Sequence, residues 1–258
     1  PAYDAAVIDE AQDVSISQLR FLAALGAGRP NGLFFSGDTG QRIFQQPFSW
    51  KALGVDVRGR SKSLRVNYRT SHQIREQADR LLGPEVTDVD GNREDRRHTL
   101  SVFNGPPPDI RTFATETLEQ AGAGEWLRAL VDGGLKPHEI AVFVRSSEQS
   151  ARATAAVTAA GLSPRLLDDR VDVRQGETSV ATMHLAKGLE FRAVAVMACD
   201  DEVVPLQSRI ESVGDDGDLQ EVYETERHLL YVACTRARDR LFISGVDPVS
   251  EFVSDIVG

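Results

Sequence analysis

The 258-residue sequence is poor in cysteine, in long apolar runs and in repeats, and each shortage removes a class of protein. Its two cysteines, Cys199 and Cys234, have no CxxC spacing and no histidine cluster nearby. A disulfide framework and a structural zinc site are thereby excluded, and two buried thiols are expected. No apolar run approaches the roughly 20 residues that cross a bilayer, and no cleavable signal precedes the first strand. A soluble, cytoplasmic protein without a membrane partner follows as the expectation. No repeat of fixed period marks a solenoid. Positive charge is also scarce, the formal net charge being −10, which at first argues against a nucleic-acid partner.

The acids, however, are unevenly spread. Asp200 to Glu226 holds ten of them against one base, Arg209, and so accounts for nearly all of the net charge. The remainder is close to neutral, and Arg58, Arg60, Lys62, Arg65, Arg69 and Arg75 follow one another with no acid between them. Such a run is either a basic face or a solvated surface. With 41% hydrophobic residues the chain can bury one large core or two modest ones.

Near the start, the apolar run Ala5 to Ile8 ends in Asp9 and Glu10. The run predicts a strand buried on both faces of a parallel sheet, with both carboxylates at its C-terminal end, where open α/β sheets bind ligands. One carboxylate can hold Mg²⁺ while the other orients or deprotonates a water. An ordinary strand end or a helix N-terminus would also accept two acids. Pro1 to Asp4 leads into this strand without cap, turn or initiator Met, as in a trimmed chain or a fragment.

Further along, Ser15 to Ala27 reads as a helix capped by Ser15, and Leu33 to Phe35 as a second buried strand. Leu64 to Tyr68 is strand-like, and a helix capped by Thr70 or Ser71 runs to about Leu82. Gly83 to Pro108 is polar and turn-rich, an insert. Strands are predicted at Ile110 to Phe113, Ile140 to Val144, Val180 to His184, Ala193 to Met197 and Leu241 to Ile243. Helices are predicted at Leu118 to Val131, Ser147 to Ala160, about Glu221 to Arg236, and in a short C-terminal segment. This alternation predicts α/β architecture around a mainly parallel sheet. Gly54 to Ser61 matches the spacing of the phosphate loop G-x-x-x-x-G-K-[ST], with Arg60 for the lysine. It is read as a decoy, because a strand rather than a helix follows.

Five strings then fall into a familiar order: Val7 to Asp13, Gly37 to Phe44, Leu64 to Thr70, Ala181 to Phe191 and Leu229 to Ala237. Together they resemble motifs II to VI of superfamily 1 helicases of the UvrD/Rep/PcrA group. The resemblance implies a RecA-like (P-loop NTPase-type) parallel sheet with flanking helices. It divides the chain into a truncated remnant of a first RecA-like lobe (1–61) and a second lobe (62–258) with a small insert at about 83–108. It implies an ATP- and Mg²⁺-dependent helicase that works 3′ to 5′ on single-stranded DNA, for instance in DNA repair, and couples hydrolysis at the cleft between lobes to strand separation.

By the same resemblance Asp9 holds Mg²⁺, Glu10 activates water, Gln41 senses the γ-phosphate, and Arg69 and Arg236 reach it from the second lobe. Tyr68 stacks on adenine, Glu190 accepts from the ribose hydroxyl, and Gly188 belongs to the same nucleotide set. Phe44, Thr182, His184 and Lys187 are the DNA contacts. Expected partners are single-stranded DNA or a single-strand/double-strand junction, a partner helicase or nuclease domain, and a second copy paired through the exposed sheet edge of the truncated lobe.

Three features depart from the family. No G-x-x-x-x-G-K-[ST] loop precedes Asp9, so this chain alone is expected to be inactive. Gln46 stands where a base-stacking Trp is common, with Phe48 or Trp50 as substitutes. Too few residues separate Arg69 from Thr182 for a large accessory subdomain. Two rivals stay open: a non-catalytic nucleic-acid- or partner-binding helicase-like module, and part of a helicase–nuclease fusion. The complete set Asp9, Glu10, Gln41, Arg69 and Arg236 speaks against the first.

Overall fold

The computed structural model describes residues 3–26, 29, 31–38, 41, 49–57, 59–82, 85–87, 93–95 and 99–257, with 85–87 and 93–95 by backbone alone. Two compact units emerge, one from Pro1–Arg65 with Gly83–Thr99, the other from Val66–Leu82 with Leu100–Gly258.

In the first unit β1 (Ala6–Ile8) and β2 (Leu33–Phe35) pair in parallel, with Val7 opposite Phe34. Helix α1 (Ile16–Gly26) joins them. It starts where the sequence predicts, because Ser15 and Gln18 form a reciprocal cap: Gln18 N donates to Ser15 Oγ at 3.3 Å, and Ser15 N donates to Gln18 Oε1 at 2.8 Å. Leu19 of α1 is fully buried among Val14, Val55, Ile8, Leu33 and Phe35, and Trp50 meets Phe35 edge-on at 5.0 Å.

The strands are not buried on both faces as expected, since Val7 is 74% and Phe34 63% exposed. Successive side chains of a strand point to opposite faces, and α1 covers only the face of Ile8, Leu33 and Phe35. An apolar run reads as doubly buried only if a second layer exists. Among the described residues of this unit none packs on the Val7–Phe34 face.

After β2 come β3 (Val66–Asn67), α2 (His72–Asp79), β4 (Glu85–Thr87), β5 (Arg93–Asp95) and β6 (Leu100–Ser101). β3 pairs with β6 in parallel, and β4 with β5 antiparallel, within the stretch read as an insert. The decoy loop is borne out as one. Gly54 (φ 91°) closes a 3-10 turn, and residues 61–65 continue without a helix.

The second unit is built on six strands: β7 (Asp109–Phe113), β8 (Ile140–Val144), β9 (Ser163–Leu166), β10 (Glu177–Thr182), β11 (Phe191–Val196) and β12 (Ala237–Val246). They lie in the order β7-β12-β11-β8-β10-β9, and every pair is parallel. The architecture is α/β, as expected. Its helices are α2 and also α3 (Glu116–Asp132), α4 (Ser150–Ala159), α5 (Gln207–Glu211), α6 (Asp216–Thr235) and α7 (Glu251–Val257).

All five residues of β8, Ile-Ala-Val-Phe-Val, are buried, as a central strand with both faces covered requires. Ile140, Val142 and Val144 share a core with α3, α4 and Phe242. Phe143 points the other way and meets Phe191. On one face α3 and α4 lie close because Gly124 has no side chain; a Cβ there would come within 3.1 Å of Ala156 O. Both cysteines are buried, and burial pushes the Cys234 thiol up to about 12.

Several elements differ from the sequence prediction, among them these three. Helix α6 starts at Asp216 rather than about Glu221: Asp215 Oδ1 accepts from Asp218 N at 2.9 Å, and acids suit the positive end of a helix. Part of the acidic stretch is therefore the first turn of a helix. Strand β9 carries Pro164, tolerable only because it is an edge strand. The strand expected from Leu64 to Tyr68 shortens to β3, where its single partner β6 is two residues long.

Candidate functional site

Beyond β1 the chain turns through Glu10, whose backbone is left-handed (φ 51°, ψ 43°). That conformation costs a residue with a Cβ about 1–2 kcal/mol, and such outliers gather at working sites. The turn is closed by Ala11 N donating to Ser36 O at 2.8 Å. Beneath it lies Gln12, 4% exposed. Its Nε2 donates to Glu10 Oε2 at 2.5 Å, and its Oε1 accepts from Asp38 N at 3.0 Å. Asp38 Oδ2 in turn accepts from Gln41 Nε2 at 2.9 Å. Glu10 and Gln41 are thus joined through Gln12 and Asp38 at the C-terminal ends of two paired strands.

Asp9 stands beside them, exposed, its Oδ1 accepting from Glu10 N at 3.0 Å. Neither Gln12 nor Asp38 is predicted as a site residue by sequence, although both lie within the motif strings. The signal that could have found them is the same one that found Glu10: polar residues where apolar strands end.

A carboxylate at a strand end is a hard oxygen donor and fits Mg²⁺. Asp9 is one such donor. Among the described residues no group of three or more His, Cys, Asp or Glu could hold a metal unaided. The junction is tightly built. A Cβ at Gly37 would come within 3.1 Å of Ala11 N and 3.2 Å of Gln12 N. Gly37→Ala is expected to destabilise the protein by about 1–3 kcal/mol through overpacking, measured by urea unfolding.

In the second unit a group of polar residues collects at the N-terminal ends of β11 and β12. Asn67 Oδ1 accepts from Arg69 N at 2.8 Å and Thr70 N at 3.1 Å, an Asx turn that sets the loop after β3. Thr70 Oγ1 donates to Thr235 O at 3.3 Å, and Ser71 N to Arg238 O at 3.0 Å. Ser71 precedes α2 as predicted, but its hydroxyl makes no cap bond. Tyr68 is 69% exposed on this turn. Arg69 Nε meets Glu190 Oε2 at 3.0 Å, both side chains about half exposed. A pair of that exposure is worth at most about 1 kcal/mol, so either partner can turn to a ligand.

Arg236, by contrast, is 1% exposed at the C-terminal end of α6. Its Nε donates to Val232 O at 3.1 Å and its Nη1 to Leu189 O at 3.4 Å. Leu189 leaves a tight turn in which Lys187 has φ −62° and ψ 136°, Gly188 has φ 77°, and Leu189 N donates to Ala186 O at 3.1 Å. This is type II geometry, which requires a residue comfortable at positive φ in the position of Gly188. Lys187 is partly exposed on the same turn. A cavity of about 260 Å³ opens beside Glu190, lined also by His138, Glu139, Phe191, Arg192 and Arg238. The hydrogen bond from Arg238 holds the Asp239 carboxyl below its ordinary value, with burial opposing and Arg192 assisting.

The other predicted residues of this unit lie at the opposite, C-terminal edge of the sheet. Strand β10 ends at Thr182, opposite Val144 of β8, and a 3-10 turn over Met183–Ala186 follows with His184 half-buried. Burial, then the Arg145 charge, pushes the His184 pKa below its ordinary value, so the imidazole is neutral at pH 7. Arg145 is itself buried, its Nε and Nη2 donating to Glu226 Oε2 and Oε1 at 2.5 and 2.6 Å. Glu226, fully buried on α6, also accepts from Arg209 Nη1 at 3.1 Å and Leu206 N at 3.3 Å. Sequence reasoning assigned none of the three, although it set Arg209 apart as the one base in an acidic stretch.

Phe44, Gln46 and Phe48 lie outside the described residues. Trp50, the other expected substitute for a base-stacking Trp, packs against Phe35.

Residues 155–247 match the family described as the UvrD-like helicase C-terminal domain. The chain is 24% identical over 248 residues to a "Probable DNA helicase" of Mycoplasma pneumoniae, a match covering 93% of this chain and 43% of that protein. It is 42% identical over 76 residues to the "ATP-dependent DNA helicase PcrA" of Staphylococcus aureus, covering 30% of this chain and 10% of that protein. The chain thus spans less than half the length of these curated relatives. A solved structure described as the C-terminal domain of a possible DNA helicase from Lactobacillus plantarum overlays 74% of this chain and 94% of its own, with a TM-score of 0.48 and 24% identity. Among the described residues no helix is long and apolar enough to cross a membrane.

Proposed function

We propose, from the premise that this chain carries the C-terminal portion of a UvrD-like helicase, that the whole protein is an ATP-driven translocase moving 3′ to 5′ on single-stranded DNA. The observation that carries the proposal is the hydrogen-bonded series from Glu10 through Gln12 and Asp38 to Gln41. A water-activating carboxylate and a phosphate-sensing amide held in one network can respond together to the state of a γ-phosphate. Asp9 holds Mg²⁺, Glu10 takes the proton of the attacking water, and Gln41 orients that water.

Arg69 and Arg236 would each offer guanidinium charge to a triphosphate. Tyr68 stacks on the adenine, and Glu190, on leaving Arg69, accepts from the ribose. Gly188 shapes the turn whose Leu189 carbonyl holds Arg236. Thr182, His184, Lys187 and Phe44 contact the DNA strand, His184 as a neutral hydrogen-bonding group. Residues 1–61 belong to a first lobe and 62–258 to a second. The 258 residues contain no G-x-x-x-x-G-K-[ST] loop, so this chain alone does not turn over ATP.

Glu10→Gln in the full-length protein tests the reading. DNA-stimulated ATP hydrolysis should fall by about 10²-fold or more, as for loss of a general base, with ATP binding retained. Hydrolysis at the wild-type rate would remove the catalytic assignment.

A further inference from the structure

We infer that Arg209 is a contact for a backbone phosphate of the single strand, aimed by the buried carboxylate of Glu226. The inference deepens the proposed function and rests on it, because it places one more residue at the edge assigned to DNA. Arg209 lies in the short helix α5, and Glu226 ties it to Arg145. Arg145 follows Val144, the register partner of Thr182, and the 3-10 turn bearing His184 packs against both β8 and α6. Thr182, His184, Arg145 and Arg209 thus share one end of the sheet.

Glu226 faces two guanidinium groups with one carboxylate, which leaves one positive charge over. Arg145 cannot present it. Its side chain is 4% exposed, and its Nε and Nη2 are committed to the two oxygens of Glu226. Arg209 can, since its side chain is 39% exposed and Nη1 holds the group in place from the inner side. A guanidinium has five N–H donors in a planar fork that fits phosphate oxygens, and one anchored bond removes part of the entropy lost on binding. Arg209 is also the only base from Asp200 to Glu226, so its loss leaves that stretch wholly acidic.

The test is the salt dependence of oligo-dT binding by the full-length protein at pH 7.5, read by fluorescence anisotropy for wild type, Arg209→Gln and Arg209→Lys. Each phosphate contact on a single strand contributes about 0.7 to the slope of log Kobs against log salt. Arg209→Gln should flatten the slope by about that amount and weaken binding, while Arg209→Lys should keep it. Arg209 is partly exposed and a merely structural role would not move the slope, so unfolding curves of the three proteins serve only to show that each is folded. A wild-type slope in Arg209→Gln, or an equal loss in Arg209→Lys, overturns the inference and leaves the helicase reading intact. Failure of the wild-type protein to bind oligo-dT in a salt-dependent way sinks both.

Discussion

Replacing Arg236 by alanine in the full-length protein is expected to lower DNA-stimulated ATP hydrolysis by roughly 10³-fold or more, the size of effect seen when an arginine finger is lost. The charge that develops in phosphoryl transfer is spread over equatorial oxygens, and a planar, permanently charged group at fixed distance stabilises it better than water does. In this structure the guanidinium lies on Val232 O and Leu189 O, and the proposed role requires it to exchange those carbonyls for phosphate oxygens. Two carbonyls are a weaker lure for a cation than a triphosphate, and both belong to backbone at the end of a helix or beside a glycine turn.

Alanine also takes a donor from Leu189 O, while Val232 O still accepts from Thr235 Oγ1 at 3.1 Å; the loss is about 1–3 kcal/mol in stability, and a fall in activity must be separated from a fall in folded protein. Arg236→Lys does so: it keeps a cation at the helix C-terminus, where one is favoured, but has no fork to span phosphate oxygens. Single-turnover hydrolysis with saturating ATP and oligo-dT should show the lysine variant nearly as impaired as alanine, with unfolding close to wild type. Wild-type turnover in either variant removes Arg236 from the reaction.

The largest effect on stability is expected at Glu119, which is fully buried on α3. It receives Arg152 Nε in a short hydrogen bond, Ser244 Oγ at 2.6 Å and Ala198 N at 3.0 Å. Arg152 continues to Asp200 through Nη1 at 2.5 Å and Nη2 at 3.0 Å, and Asp200 Oδ1 accepts from Val246 N at 2.6 Å. One ionic cluster therefore joins α3 and α4 to the ends of β11 and β12. Although burial works against the charged form of Arg152, Asp200 and Glu119 outweigh it and raise its pKa.

Removing one member leaves a charge in the interior without its counter-charge, which costs about 3–5 kcal/mol. Domains of this kind hold only about 5–15 kcal/mol in all, so Glu119→Ala is expected to lose much of the stability. Glu119→Leu combined with Arg152→Met replaces the pair by apolar groups and should recover part of that loss. Urea unfolding of the single and double variants checks both statements. A single variant within 0.5 kcal/mol of wild type, about the noise of a surface substitution, shows that water reaches the cluster.

What could be read from the sequence alone was local. The alternation of strands and helices, the strand at Ile140 to Val144 and the cap at Ser15 depend on residues a few positions apart, and each recurs in the structure. The motif strings are legible for the same reason, since a carboxylate pair after an apolar run or a glycine in a tight turn carries its chemistry in its own neighbourhood.

Everything that needed the order of strands in space was illegible. Strand ends were taken as the place for ligands, and Glu10 does follow the end of β1, but Arg69, Glu190 and Arg236 gather where β11 and β12 begin. Arg145 finds Glu226 eighty-one residues away because β8 lies between β10 and β11 and α6 crosses that part of the sheet. A sequence states which side chains can pair. Only the folded backbone decides which of them are close enough, and far enough from water, for the pairing to matter, because Coulomb and hydrogen-bond energies are set by distance and burial rather than by position along the chain.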